Sequence, residues 1–362
     1  MMIDRLWRRL PVLLLTLWLA GCEQSGEAPQ GFAGLGNEAG AFTPVLPGRT
    51  FSFPADHGPH EGFRIEWWYL TAVLTDAQGR DFGVQWTLFR SALRAGHESS
   101  GWGAPFVWLG HAAATSANSH HAAERYARGG VGQAGVTAQP LQAWIDDWQL
   151  RSLSAGDDPL ARMQVRANGP GFAYQLQLSS AQPVVLQGEG GYSRKSDRGQ
   201  ASYYYSQPFF QASGELQIDG QRYQVSGPAW LDREWSSQPL SADQTGWDWF
   251  SLHLDSGERL MLFRVRTNAG EPYISGTWIS PDGRTEGLSK QQIRLTPLEY
   301  SHVEGRRLPT AWHLNIPSKG VDITTQALNP QAWMNLSIPY WEGPLGLSGS
   351  HNGSGYLEMT GY

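Results

Sequence analysis

The chain has 362 residues, with 27 basic against 33 acidic side chains, 17 tryptophans and a single cysteine. A net charge of −6 leaves no electrostatic reason to bind nucleic acid, and one cysteine excludes an internal disulfide. The length accommodates two domains of ordinary size.

The first 22 residues read as a targeting segment. Arg5, Arg8 and Arg9 precede the apolar run "LPVLLLTLWLA" (10–20), and "LAGC" closes it at Cys22. Eleven apolar residues are too few to cross a bilayer as a helix, so the segment is expected to be an export signal. The Leu-Ala-Gly-Cys ending resembles the bacterial lipobox, which implies lipidation of Cys22 as the first residue of the mature chain. The alternative is a plain secretory signal cut nearby. Glu23, where an aspartate would favour inner-membrane retention, implies the outer membrane, facing the periplasm. Without residues 1–21, which hold three arginines and one aspartate, the net charge becomes −8. No second long apolar run follows, so the expected membrane anchor is the lipid alone.

Residues 23–50, rich in Gly, Ala, Pro and Glu, read as a flexible tether. Thereafter the sequence alternates apolar and polar residues in the manner of strands: "RIEWWYLTAVL" (64–74), "FGVQWTLFRSAL" (82–93), "FAYQLQLS" (172–179), "WDWFSLHLD" (247–255) and "RLMLFRVRT" (259–267). Hairpin-type turns such as "DAQG", "IDGQ", "DSG" and "SPDGR" separate such runs. Only "HHAAERYAR" (120–128) suggests a short helix, and no βαβ pattern occurs. The fold class is therefore all-β. Two hairpins, 67–90 and 248–265, share a Trp-aromatic start, a glycine turn and a closing Leu-Phe-Arg. This weak repeat predicts two antiparallel barrels or sandwiches, over 51–240 and 241–362. The closing "GYLEMTGY" is predicted to be a paired strand, because Tyr356, Glu358 and Thr360 alternate with Leu357 and Met359.

The stretch "GPAWLDREWSS" (227–237) sets two carboxylates and an arginine between two tryptophans. On a strand, Trp230, Asp232 and Glu234 share one face and Leu231, Arg233 and Trp235 the other. Asp232 and Glu234 would then lie about 7 Å apart, close enough in an apolar cavity to keep one of them protonated. The alternative is a salt-bridged cluster at a domain junction. Glu66, beside Trp67 and Trp68, and His111, inside an apolar stretch, are further candidates for proton transfer. The aromatics next to these charges, Trp67, Trp68, Trp230, Trp235, Trp247 and Trp249, are the expected lining of a pocket for a hydrophobic molecule. Tyr204 and Tyr205 would orient a water or close a strand end. No Gly-x-Ser-x-Gly elbow and no metal-ligand spacing occurs, so neither a metal nor a cofactor is expected.

Five blocks carry a family resemblance: "EWWYLTAVL", "GHAAATS…ERYAR" around His111, Glu124 and Arg128, "SYYYSQP" (202–208), "GPAWLDREWSS", and "YWEGPLGLSGSHNGSGYLEMTGY". From about residue 55 to the C-terminus the chain resembles the AttH and carotenoid 1,2-hydratase group of lipocalin-like proteins. The resemblance implies two lipocalin-like β-barrel domains, hydrophobic substrates such as polyenes, and association of some members with an ABC-type exporter. In the hydratase branch an aspartate of the matching block is implicated in protonating the alkene, and Asp232 occupies that position. The continuation Arg233-Glu234-Trp235 follows the AttH pattern instead. Two functions are therefore expected. One is an acid–base hydratase or hydrolase for an isoprenoid-like molecule. The other is a non-catalytic lipoprotein that binds a lipophilic ligand for an ABC-type exporter.

Overall fold

The computed structural model describes residues 42–95, 101–156, 158–238, 240–241, 243–268 and 270–362. Cys22 and most of the 23–50 segment lie outside the described residues. One antiparallel sheet holds β1 (Ile65–Asp76), β2 (Asp81–Ala92), β3 (Phe106–Ser116), β4 (His120–Arg128), β5 (Ala134–Ala138), β6 (Leu141–Ile145), β7 (Trp148–Ser152), β8 (Arg162–Gly169), β9 (Phe172–Ser179), β10 (Val185–Leu186), β11 (Tyr192–Arg194), β12 (Ala201–Ile218) and β13 (Gln221–Ser236). A second holds β14 (Gln244–Leu254), β15 (Arg259–Thr267), β16 (Tyr273–Ile279), β17 (Thr285–Ser289), β18 (Arg294–Val303), β19 (Arg306–Ile316), β20 (Val321–Ala327), β21 (Trp333–Met334), β22 (Tyr340–Gly349) and β23 (Gly353–Met359).

Each sheet curls around its own core, the all-β lipocalin-like arrangement. In both, the first strand pairs with the second and with the last, so β1 lies between β2 and β13 as β14 lies between β15 and β23. The repeated hairpins of the sequence are these first two strands of each sheet. Strand alternation sorts their side chains. Trp68, Leu70, Ala72 and Leu74 fill the first core, and Phe250, Leu252 and Leu254 the second. The other faces meet between the sheets, where Tyr69, Trp230, Trp249, Met261, Phe263 and Tyr356 form a shared cluster. Large apolar side chains buried this way contribute about 1.5–3 kcal/mol each.

The β12–β13 hairpin shows why these turns were legible. Asp219 and Gly220 both take positive φ, 52° and 77°, as a two-residue type I′ turn demands. That turn starts the register, and a one-residue irregularity between Gln207 and Phe210 shifts it so that Asp232 comes opposite Ser206 on β12.

Two expectations are corrected. Residues 120–128 form β4, not a helix, because β3 offers them a ladder from Val107↔Arg128 to Thr115↔His120. The last residues assigned to the tether are packed: Val45 is buried, Tyr203 Oη bonds the backbone of Leu46, and Arg49 pairs with Asp56 at 2.7 Å.

Candidate active site

Between the sheets lies a partly enclosed cavity of about 130 Å³. Its aromatic walls come from both hairpins of the repeat: Trp67, Tyr69 and Phe89 from one side, Trp247, Trp249 and Phe263 from the other. Three carboxyls reach it, Asp232 and Glu234 from β13 and Glu358 from β23. These strands are the last of their sheets, so the two sides correspond.

Asp232 is buried among donors. Ser206 Oγ and Trp230 Nε1 donate to its Oδ1 at 2.5 and 2.6 Å, and Tyr204 Oη donates to Oδ2 at 2.8 Å. Gln187 Nε2 donates to Ser206 Oγ at 2.7 Å, which fixes that hydroxyl as a donor toward Asp232. Trp249 Nε1, from the second sheet, donates to Tyr204 Oη at 3.2 Å. Burial pushes the Asp232 carboxyl up to about 7, helped by the charge of Glu234 and only partly opposed by the three donors.

Glu358 accepts a 2.6 Å bond from Trp247 Nε1. It is half-buried and lines the cavity. Burial lifts it to about 7, against the Trp247 bond and with the charges of Asp232 and Glu234. Directly opposite on β22 stands Glu342. Burial and the facing Glu358 hold Glu342 well above the usual carboxylate range, although Tyr69 and Tyr340 both bond to it. Glu234 differs, with Lys195 Nζ at 2.8 Å and a hydrogen bond from Ser202.

The model of the AttH-like family matches residues 44–362. The chain belongs to the AttH-like family. An AttH protein from Nitrosomonas europaea is similar at 32% identity, over 89% of this chain and 100% of its own, with a TM-score of 0.77. Two more distant structures share the fold. Kievitone hydratase from Nectria haematococca is 15% identical over 88% of this chain and 96% of its own, with a TM-score of 0.67. CghA in complex with Sch210972 is 10% identical over 89% and 96%, with a TM-score of 0.54. No curated protein sequence matches the chain.

In this AttH-like chain, the candidates of the first sheet divide between its two faces, and Trp247 and Trp249 face the cavity from the second sheet. Asp232, Glu234, Trp67, Tyr204, Trp247 and Trp249 line the cavity. Trp230 stands behind Asp232 as its donor. Glu66, Trp68, Tyr205 and Trp235 point the other way. Glu66 is fully buried, with Arg233 Nη2 at 2.6 Å and Arg90 Nη1 at 3.6 Å. Burial alone would raise Glu66, but Arg233, His60 and Arg90 outweigh it and hold the carboxylate at about 2. Its guanidinium neighbours thus keep Glu66 in an ion-pair network on the face turned away from the cavity. Arg233 lies 3.7 Å over the Trp68 ring, and Tyr205 Oη is 2.6 Å from His57 Nδ1. Arg233 lies on the opposite face from both acids, as strand alternation implies, and the alternative of a salt-bridged cluster is met only at Glu234, through Lys195. His111 sits one layer behind the cavity, its Nδ1 3.0 Å from Tyr340 Oη, and burial lowers it to about 3, so the ring stays neutral.

The second sheet's acids were not singled out as site residues. Glu358 was visible in the alternation of the last strand, and Phe89 and Phe263 in the repeated Leu-Phe-Arg. Lys195 carried no local signal, and Ser206 and Glu342, although inside "SYYYSQP" and "YWEGPLG", gave no sign of facing the acids, since only the pairing of distant strands brings them here.

Proposed function

We propose that the protein is an acid–base enzyme of the bacterial cell envelope that adds water to, or hydrolyses, a hydrophobic molecule held in the cavity between the sheets. The observation that carries this reading is Asp232: a carboxyl on an aromatic wall whose proton is retained near neutrality and is still available for transfer. The proton has one place to sit. Oδ1 already accepts from Ser206 and Trp230, so the acid proton belongs on Oδ2, next to Tyr204 Oη.

In a hydration, Oδ2 gives this proton to one carbon of a double bond. The oxygen of a water bonds to the other carbon, and the water's released proton goes to Glu358, the second carboxyl poised near neutrality. Proton return from Glu358 to Asp232 closes the cycle. The surrounding rings stabilise positive charge on the carbon skeleton as it develops. The fold shared with kievitone hydratase supports this class of reaction. Attachment through a lipid on Cys22, at the outer membrane, is part of the same proposal and rests on the sequence of residues 1–22.

The test is incubation of the purified protein with apolar extracts of bacterial envelopes in isotopically labelled water. Mass spectrometry should find a product that has gained labelled oxygen, absent with Asp232→Asn. Recovery of a bound molecule that is never chemically altered would leave the protein a binder and overturn the enzymatic reading.

A further inference from the structure

The cavity carries a charge imbalance that the handling of a neutral molecule does not use. Of its three carboxyls, Glu234 has an ammonium partner in Lys195, at 2.8 Å. Among the described residues no basic side chain stands within ion-pair distance of Asp232 or Glu358, whose polar contacts are neutral indoles and hydroxyls. Buried carboxyls are ordinarily matched by a cation. Here the cavity itself is the space left for one. The protein also shows how it houses an ammonium at this place. Lys195 Nζ lies 4.6 Å from the centre of the Phe263 ring and 5.0 Å from that of Tyr204 while it pairs with Glu234. Carboxylate and aromatic faces together are the chemistry that recognises amines and quaternary ammonium groups.

We infer that the cavity takes a hydrophobic cation, an apolar amine or quaternary ammonium compound whose charged head sits between Asp232 and Glu358 and whose body lies on the aromatic lining. The inference shares with the proposed function the premise that this cavity is the ligand site. It does not depend on Asp232 transferring a proton. The groups that set the charge are few. Asp232 is faced by Tyr69 on β1, Tyr204 and Ser206 on β12, Glu234 on its own strand, and Glu358. Glu358 is faced by Trp247 and by Glu342. The one cation of the cavity lining among the described residues is Lys195, already paired with Glu234, so ionisation of Asp232 and Glu358 is what a bound cation would draw out.

Two probes of the same shape separate charge from apolar contact: benzyltrimethylammonium and its uncharged carbon isostere, neopentylbenzene. Their affinities for the full-length protein are measured by calorimetry well above and well below the pH of about 7 at which the two carboxyls titrate. At the higher pH the ammonium should bind about tenfold more tightly than the isostere, and below it the preference should vanish. Glu358→Gln should weaken the ammonium about tenfold and leave the isostere unchanged, which also reports that the variant is folded. Lys195→Ala should strengthen the ammonium by removing a repelling charge. Equal or tighter binding of the isostere at the higher pH, or binding of neither probe, overturns the inference. Equal binding leaves the acid–base reading intact, since that reading stands or falls on transfer of labelled oxygen.

Discussion

The indole of Trp230 donates to the carboxyl of Asp232, two residues along the same face of β13, at 2.6 Å. With Ser206 it occupies Oδ1 and leaves Oδ2 as the proton-bearing oxygen. Asparagine keeps the Oδ1 half of this pattern, with its carbonyl oxygen toward Trp230 and Ser206, while its Nδ2 requires Tyr204 Oη to accept instead of donate. At about pH 4 and below, where the wild-type carboxyl is also uncharged, Asp232→Asn should shift unfolding stability by no more than about 1 kcal/mol, and nearer to about pH 7 it should stabilise. It should also lower turnover by about 10²–10⁴-fold, with little change in ligand affinity. Thermal denaturation and single-turnover kinetics on the same preparation check both. A strongly destabilised variant would count against the catalytic assignment.

Arg233, the next residue, predicts the opposite outcome. Its guanidinium, on the far face of the sheet, holds Glu66 at 2.6 Å and donates to the carbonyl of Gly58, so it ties the 49–63 segment to the sheet. Removing one member of a buried pair leaves the other uncompensated. Glu66→Gln and Arg233→Met should each cost about 3–5 kcal/mol in chemical denaturation. Neither should move the titration of Asp232. Losses below about 1 kcal/mol would mean that the network is looser than its geometry.

What the sequence made legible was whatever depends on near neighbours. Alternation separated Asp232 and Glu234 from Arg233. The Asp219-Gly220 turn and the repeated Trp-aromatic hairpins were equally local. Pairings across long separations were not legible. Arg233 bonds Glu66 over 167 residues, and Trp249 reaches Tyr204 over 45 and across the domain junction. Glu66 illustrates the cost. Beside two tryptophans it looked like a pocket acid, but its face of β1 is the one turned toward Arg90 and Arg233. The β4 segment was misread for a related reason: its alanines and charges suit a helix in isolation, and only the waiting edge of β3 makes it a strand.

Cys22 gives a prediction independent of the fold. If its thiol carries the lipid, Cys22→Ser should yield a folded protein that leaves the membrane fraction for the soluble periplasmic one. Fractionation followed by immunoblotting reads this directly. A variant that still sediments with outer membranes removes the lipoprotein proposal.

The coupling between the two cavity carboxyls makes the last prediction. Asp232 and Glu358 titrate at about 7 in the folded protein, against ordinary values of 3.8 and 4.5. An acid whose pKa is raised on folding stabilises fully below its unfolded value, and that contribution is lost as the pH rises through the folded value. Between about pH 4 and 7 these two groups therefore erode stability. The buried histidines His57 and His111, lowered by burial to about 4 and 3, act in the opposite sense, losing stability as the pH falls below 6.5. The wild-type profile alone thus mixes opposing trends, and the difference from a variant isolates the carboxyls. The melting temperature of Asp232→Asn with Glu358→Gln, minus that of the wild type, should rise from about pH 4 to about pH 7 and then level off. The charge of Asp232 raises Glu358, so either single variant relieves its own burial penalty and the shared repulsion. The two single-variant gains should then sum to more than the gain of the double variant. A difference that is flat with pH would show that both carboxyls ionise freely, and the proton proposed for Asp232 Oδ2 would not be there at neutral pH.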